Sequence, residues 1–229
     1  MLECEMREDG LMEQFCGIDP ESENAIEVSV EHGVVASVQP AQEPCSGLPF
    51  IARGFIDIQV NGYKGIDYSD DGLDAAKMLQ LVRHLAAGGT TQHLATIVTR
   101  PHEHMVRSLK AIVRARQESA LLRFAIPGAH LEGPWISLED GPRGAHDPRY
   151  IRKPDFEEFQ KLQDAAQELI KIVTLAQALV NPARLLAKAG VSLAEGLAVG
   201  APADIVLFYF DGGQRLSVRS TLLYGELMA

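Results

Sequence analysis

Two rhythms of apolar and polar residues alternate along this chain. Ala25-Ile26-Glu27-Val28-Ser29-Val30 and Val34-Val35-Ala36-Ser37-Val38 both carry apolar residues at near-alternate positions, on either side of Glu31-His32-Gly33. That is the pattern of a β-hairpin. From Gly54 the rhythm changes. Phe55 to Val60 reads as a strand closed by Asn61-Gly62. Residues 73–87 carry Leu73, Ala76, Met78, Leu79, Leu81, Val82 and Leu85 at helical spacing and end at Gly88-Gly89. Thr90 to Val98 reads as a strand, and Pro101 opens a helix with Met105, Leu109, Ile112 and Val113 on one face. Leu122 to Leu131 reads as a third strand, Asp155 to Ala166 as a third helix, and Leu169 to Leu175 as a fourth strand.

Apolar strands alternating with amphipathic helices predict parallel βαβ units. After Ala176 that alternation stops. Pro182 to Ala189 reads as a short helix, and Ile205 to Phe210 and Leu216 to Leu223 as strands. The expected fold class is α/β: partial TIM-barrel-like (β/α) units with a small β-sandwich formed from the two chain ends. The expected domains are a poorly ordered N-terminus (1–23), the β-sandwich (24–53 plus 195–229) and an incomplete barrel domain (54–194). A closed (β/α)8 barrel takes about 250 residues, more than this 229-residue chain has beside its β-rich ends. An open set of such units leaves strand edges exposed, which favours a homodimer.

Composition narrows the function. With 31 acidic against 21 basic residues the formal charge is −10, the wrong sign for neutralising phosphates along a nucleic acid. No run approaches the roughly 18 apolar residues of a membrane span. The start, Met1-Leu2-Glu3-Cys4-Glu5, lacks the basic-then-apolar layout of a signal peptide. Cys4, Cys16 and Cys45 fit neither a disulfide framework nor a zinc knuckle. The expected partner is a small molecule, with no nucleic acid and no membrane, in the cytoplasm.

The candidate chemistry lies in His130-Leu131-Glu132-Gly133-Pro134-Trp135. A carboxylate ends an apolar strand there, followed by a Gly-Pro turn that lets backbone approach a ligand. With Gly54-Phe55-Ile56-Asp57-Ile58-Gln59-Val60-Asn61-Gly62, Gly144-Ala145-His146 and Val173-Thr174-Leu175-Ala176, this block resembles the amidohydrolase superfamily, and within it the N-acetylglucosamine-6-phosphate deacetylase family. Asn181-Pro182-Ala183-Arg184 and Gly200 to Val206 resemble that family's closing helix and return strand.

The resemblance implies a TIM barrel with a small β-sandwich, and one divalent metal ion, zinc or similar, that activates water to cleave an acetamide. Gln59-Val60-Asn61 matches the family's replacement for a His-x-His pair. Glu132 matches its glutamate metal ligand, and His146 a histidine that contacts the sugar. Gln59 and Asn61 join His146 as substrate-binding candidates. The implied reaction turns N-acetylglucosamine 6-phosphate into glucosamine 6-phosphate and acetate. The family's two later histidine ligands and its catalytic aspartate have no counterpart: no histidine follows His146, and Gln177-Ala178 runs almost directly into Asn181-Pro182. The chain reads as an internally shortened deacetylase with a junction near Gln177 and no catalytic residue of its own. The alternatives are a non-catalytic remnant, a truncated gene product, or a subunit that binds a sugar phosphate.

Other residues invite plainer readings. His130 and Glu132 share a strand face and, with His93 and His146, suggest a makeshift metal site; His130 alone reads as a satisfied core histidine. His102-Glu103-His104 opens a helix, where neighbours two apart diverge, and reads as solvated surface. Trp135 reads as a packing anchor for its loop, and Asp57 as a local hydrogen-bonding residue.

Overall fold

The structure is a computed structural model that describes residues 12–41, 47–175, 199–200, 203, 205–210 and 216–228. In chain order the strands are β1 (Met12–Ile18), β2 (Ala25–Glu31), β3 (Val34–Pro40), β4 (Phe50–Arg53), β5 (Phe55–Val60), β6 (Gly62–Tyr63) and β7 (Ile66–Asp67), followed by helix α1 (Ala75–Ala86). Then come β8 (Thr90–Val98), α2 (His102–Glu118), α3 (Ala120–Ala125), β9 (Gly128–Glu132), α4 (Phe156–Ala165), β10 (Ile170–Thr174), β11 (Ile205–Phe210), β12 (Leu216–Leu223) and β13 (Glu226–Leu227). The described residues fall into two compact units. One draws on residues 12–41, 47–56, 85–91, 199–200, 203, 205–210 and 216–228, the other on 57–84 and 92–175.

In the first unit both chain ends contribute to one seven-stranded sheet of order β13-β12-β11-β4-β1-β2-β3. The expected hairpin is present: β2 and β3 pair antiparallel, Glu31 opposite Val34. Its two-residue turn puts His32 at φ 50° and Gly33 at φ 77°, both left-handed, which suits the twist of the flanking strands. Phe15, Val28, Val30, Val35, Ile51, Ile205, Leu207 and Leu222 gather into one buried cluster. The sheet corrects one expectation. Met12–Ile18, inside a stretch expected to be poorly ordered, pairs along its whole length with β2. Its apolar residues (Met12, Phe15, Cys16 and Ile18) follow no regular alternation, so tertiary pairing rather than local periodicity makes the strand.

The second unit carries the β/α alternation. Its sheet has the order β10-β9-β8-β5, with β8, β9 and β10 parallel. Among the described residues this sheet has four strands. β8 is buried at every position but its ends, and β9 at every position but its last, as parallel strands covered on both faces require. Asp74 caps α1 by accepting from Lys77 N at 2.8 Å. Asp155 caps α4 by accepting from the amides of Glu157 and Glu158. Helix α2 buries Met105, Leu109, Ile112 and Val113, the stripe read from the sequence.

The expected strand Leu122–Leu131 is corrected. Its first half is helix α3, started by Ser119, whose hydroxyl accepts from Leu122 N, and only Gly128–Glu132 is strand. The run Leu121-Leu122-Arg123-Phe124-Ala125-Ile126 suits either state by composition, and the cap decides. The short helix expected at Pro182–Ala189 lies outside the described residues.

A polar pair is buried in the second unit. The Tyr68 hydroxyl lies 2.6 Å from His93 Nε2, with both side chains essentially without solvent exposure. Burial pushes the His93 imidazolium down to about 3 and the Tyr68 phenol upward. His93 is therefore neutral, and Tyr68 donates to it. Because the folded value lies below the ordinary 6.5, an unfolded chain binds a proton that the folded one refuses. Stability is retained above about pH 6.5 and falls as pH drops from there toward 3, by about 1.4 kcal/mol per pH unit for this group. His93→Gln keeps an acceptor for Tyr68 and removes the titration. Urea unfolding at pH 5 to 7.5 is expected to show a shallower acid slope for that variant; equal slopes would exclude His93 as the source.

Candidate functional site

The register of the parallel strands brings the candidate residues together. Glu132, the last residue of β9, stands opposite Val98 at the end of β8 and Thr174 at the end of β10. Gln59 and Asn61 flank the end of β5, two apart and on one face. These carboxyl-terminal strand ends and the loop after β9 enclose a cavity of about 520 Å³. It is lined among others by Gln59, Asn61, Thr99, Arg100, Glu132, Arg143, His146 and Thr174. The functional end of such (β/α) units is this one.

Glu132 is held on both oxygens. Gln59 Nε2 donates to Oε1 at 2.7 Å and Asn61 Nδ2 to Oε2 at 3.0 Å. His146 Nε2 lies 3.8 Å from Oε1. The Thr99 hydroxyl donates to the Glu132 carbonyl at 3.4 Å, leaving its lone pair to accept from His146 Nδ1 at 3.0 Å. All four residues singled out from the sequence (Gln59, Asn61, Glu132, His146) therefore meet at one cavity. Thr99 and Thr174 were missed. The signal that could have found them was available: each stands at or just past the end of a parallel strand, level with Glu132.

Asn61-Gly62 leads into the β6–β7 hairpin, whose turn is Lys64-Gly65, both at positive φ. The Gly-Pro turn after Glu132 is equally constrained. Gly133 has φ 88°, and a Cβ there would lie 2.0 Å from Thr99 Oγ1. Trp135 is buried and meets Phe159 of α4 edge-on, ring centroids 6.3 Å apart, so it anchors the loop. Arg152 holds the loop's far end. Its backbone amide donates to the Pro134 carbonyl at 3.1 Å, and its guanidinium pairs with Glu158 and reaches the Tyr150 carbonyl at 2.6 Å. The Arg152 guanidinium keeps the Glu158 carboxyl below its usual range.

The histidines divide clearly. His130 Nδ1 donates to the Ile58 carbonyl at 3.1 Å, so Nε2 accepts from the Thr174 hydroxyl at 2.7 Å. Burial holds this ring neutral by lowering its pKa. It is the satisfied core histidine expected, and with His93 held by Tyr68 the makeshift metal site is not formed. His102 and His104 correct another expectation. His102 Nδ1 contacts Glu158 at 3.0 Å and His104 Nε2 the Ser69 carbonyl at 2.7 Å. Both are partly buried, because α4 and the chain after β7 supply partners over the first turn of α2. Asp57 accepts locally from Gln59 N at 2.9 Å, as read.

A catalytic zinc site takes about three protein ligands with an open position. Here Glu132 and His146 are the metal-type donors that come together, 3.8 Å apart; Asp67 and Asp147 also line the cavity but accept from Ser69 N and from Arg149, and both nitrogens of His130 are engaged. Among the described residues no group of three His, Cys, Asp or Glu side chains can hold a metal ion. Among the described residues the donor set does not fit the metal implied by the resemblance. No helix among the described residues is long and apolar enough to cross a membrane.

A carboxylate and two amides at the strand ends of a β/α unit thus meet a histidine from the following loop. The chain resembles N-acetylglucosamine-6-phosphate deacetylases in sequence and in structure. It is 39% identical to the enzyme of that name from Bacillus subtilis (strain 168) over 128 residues, 54% of this chain and 31% of that one. It is 35% identical to the Homo sapiens enzyme over 144 residues, 61% of this chain and 34% of the relative. The crystal structure of the Thermotoga maritima enzyme superposes with a TM-score of 0.59 at 26% identity, covering 79% of this chain and 46% of the other. The chain thus spans about a third of the length of the curated relatives it matches. No protein-family model matches it.

Gly133→Ala is expected to destabilise the chain by about 1–3 kcal/mol, from the positive φ and the clash with Thr99. Urea unfolding measures it, and an unchanged midpoint would show that Thr99 yields freely.

Proposed function

We propose that this chain carries the substrate-recognition part of an amino-sugar-phosphate deacetylase site, and that on its own it binds N-acetylglucosamine 6-phosphate without hydrolysing it. Glu132, the expected metal ligand, carries the proposal: it is satisfied by the Gln59 and Asn61 amides and has one imidazole beside it, not two more ligands. Without a metal held by about three ligands, water keeps a pKa far too high to act as a nucleophile at neutral pH. A carboxylate, two amides, an imidazole and the Thr174 hydroxyl are instead suited to the hydroxyls and acetamide of a sugar. The divalent cofactor implied by the resemblance is not retained on this reading.

The matches to deacetylases at 35–39% identity favour a second reading, in which the chain still hydrolyses the acetamide. Zinc analysis and acetate release with N-acetylglucosamine 6-phosphate separate the two. Expected are substoichiometric zinc, no acetate above background, and a ligand-induced rise in Tm that persists in EDTA. Stoichiometric zinc with enzymatic acetate release would overturn the binding-only reading. Glu132→Gln turns an amide toward the donor of Gln59 or Asn61. It is expected to cost about 1–3 kcal/mol of stability and to abolish the ligand-induced shift. A full shift in that variant would remove Glu132 from the site.

A further inference from the structure

Resting on that reading, we infer that Arg100 and Arg143 form an anion-binding end of the cavity that takes the phosphate of the sugar. Both line the cavity together with three carboxylates, Asp67, Glu132 and Asp147. Each of those carboxylates is already engaged. Glu132 accepts from two amides. Asp147 accepts from the Arg149 amide and from its Nε at 3.0 Å. Asp67 accepts from Ser69 N at 2.6 Å.

The arginines differ. Arg143 spends Nη1 on the His146 carbonyl at 3.1 Å and Nη2 on Asp140, while its Nε is buried without a partner among the described residues. Those two bonds fix the guanidinium on the Gly144–His146 turn and leave a donor over. Arg100 follows the Thr99 that holds His146. No described carboxylate pairs with Arg100 as Arg149 pairs with Asp147; the Asp147 and Asp71 carboxyls are held down chiefly by Arg149 and Arg107, with Arg100 only adding to it. Its planar set of donors is available to an oxyanion.

The amides and Glu132 stand at the strand ends, and the arginines on the segments beyond β8 and β9. The cavity therefore presents a polar wall without cations at the strand ends and, on the segments beyond them, a wall that carries two arginines and the Arg149-paired Asp147. A hexosamine phosphate has the same two-part character. About 520 Å³ lies within the range of small-molecule sites.

Titration calorimetry on the whole chain tests this with N-acetylglucosamine 6-phosphate, N-acetylglucosamine and inorganic phosphate. The phosphorylated sugar is expected to bind about tenfold or more tightly than the neutral one, with inorganic phosphate competing. Arg100→Gln is expected to reduce that preference about tenfold, and Arg100→Lys to restore part of it. Arg143→Gln is expected to act in the same direction; since it can also loosen its loop, the Arg100 pair decides. Equal binding of the two sugars, or an undiminished preference in Arg100→Gln, overturns the phosphate end while leaving the sugar-binding reading intact. Failure of both sugars to bind overturns both.

Discussion

A carboxylate placed at the mouth of a buried parallel sheet must be satisfied on both oxygens, and the site follows from how Glu132 meets that requirement. The strand ends allow little choice. Opposite Glu132 stand Val98, which offers nothing polar, and Thr174, whose hydroxyl is already directed to His130. The donors come from the end of β5, where Gln59 and Asn61, the latter one residue past the strand, share one face and reach Oε1 and Oε2. Neutral amides satisfy the charge without forming an ion pair, so the cavity keeps a polar wall rather than a neutralised one. The same clamp accounts for Gly133. The chain must turn sharply after Glu132, and a side chain there would strike the Thr99 hydroxyl that steadies His146.

The two roles of histidine in this chain separate by burial. His93 and His130 lie inside and are kept neutral by desolvation; His93 spends Nε2 on Tyr68, and His130 spends both nitrogens on Ile58 and Thr174. His146 sits on a loop and is held by one hydrogen bond, with its Nε2 turned toward Glu132. A histidine with both nitrogens committed cannot serve a ligand, whereas one held at a single nitrogen can. Proximity in sequence to Glu132 is thus a poor guide: His130 is two residues away and structural, and His146 fourteen away and at the cavity.

Elements with strong periodicity were legible: β5, β8, the buried stripe of α2 and the β2–β3 hairpin follow from residue spacing. Weakly patterned segments were not. β1 has no regular alternation to mark it, its apolar residues falling at Met12, Phe15, Cys16 and Ile18, and becomes a strand because β2 offers its edge. The Leu121–Ile126 run is apolar enough for either state, and a single hydroxyl cap at Ser119 tips it to helix. His102 and His104 were misjudged because partners from distant segments, Glu158 and the Ser69 carbonyl, are invisible to a helical-wheel argument.

By itself the sequence determined the kinds of elements, the resemblance carried by Gln59-Val60-Asn61 and His130 to Trp135, and the absence of any histidine beyond His146. These rest on residue type and spacing, which a linear chain displays directly. Only the tertiary structure decided that Glu132 is clamped by two amides, that His130 is consumed by Ile58 and Thr174, and that Arg100 and Arg143 line the cavity with His146. Those outcomes depend on strand register and loop return. They join residues as many as 73 positions apart, as Gln59 and Glu132 are, and no local pattern encodes which partner a side chain will find there.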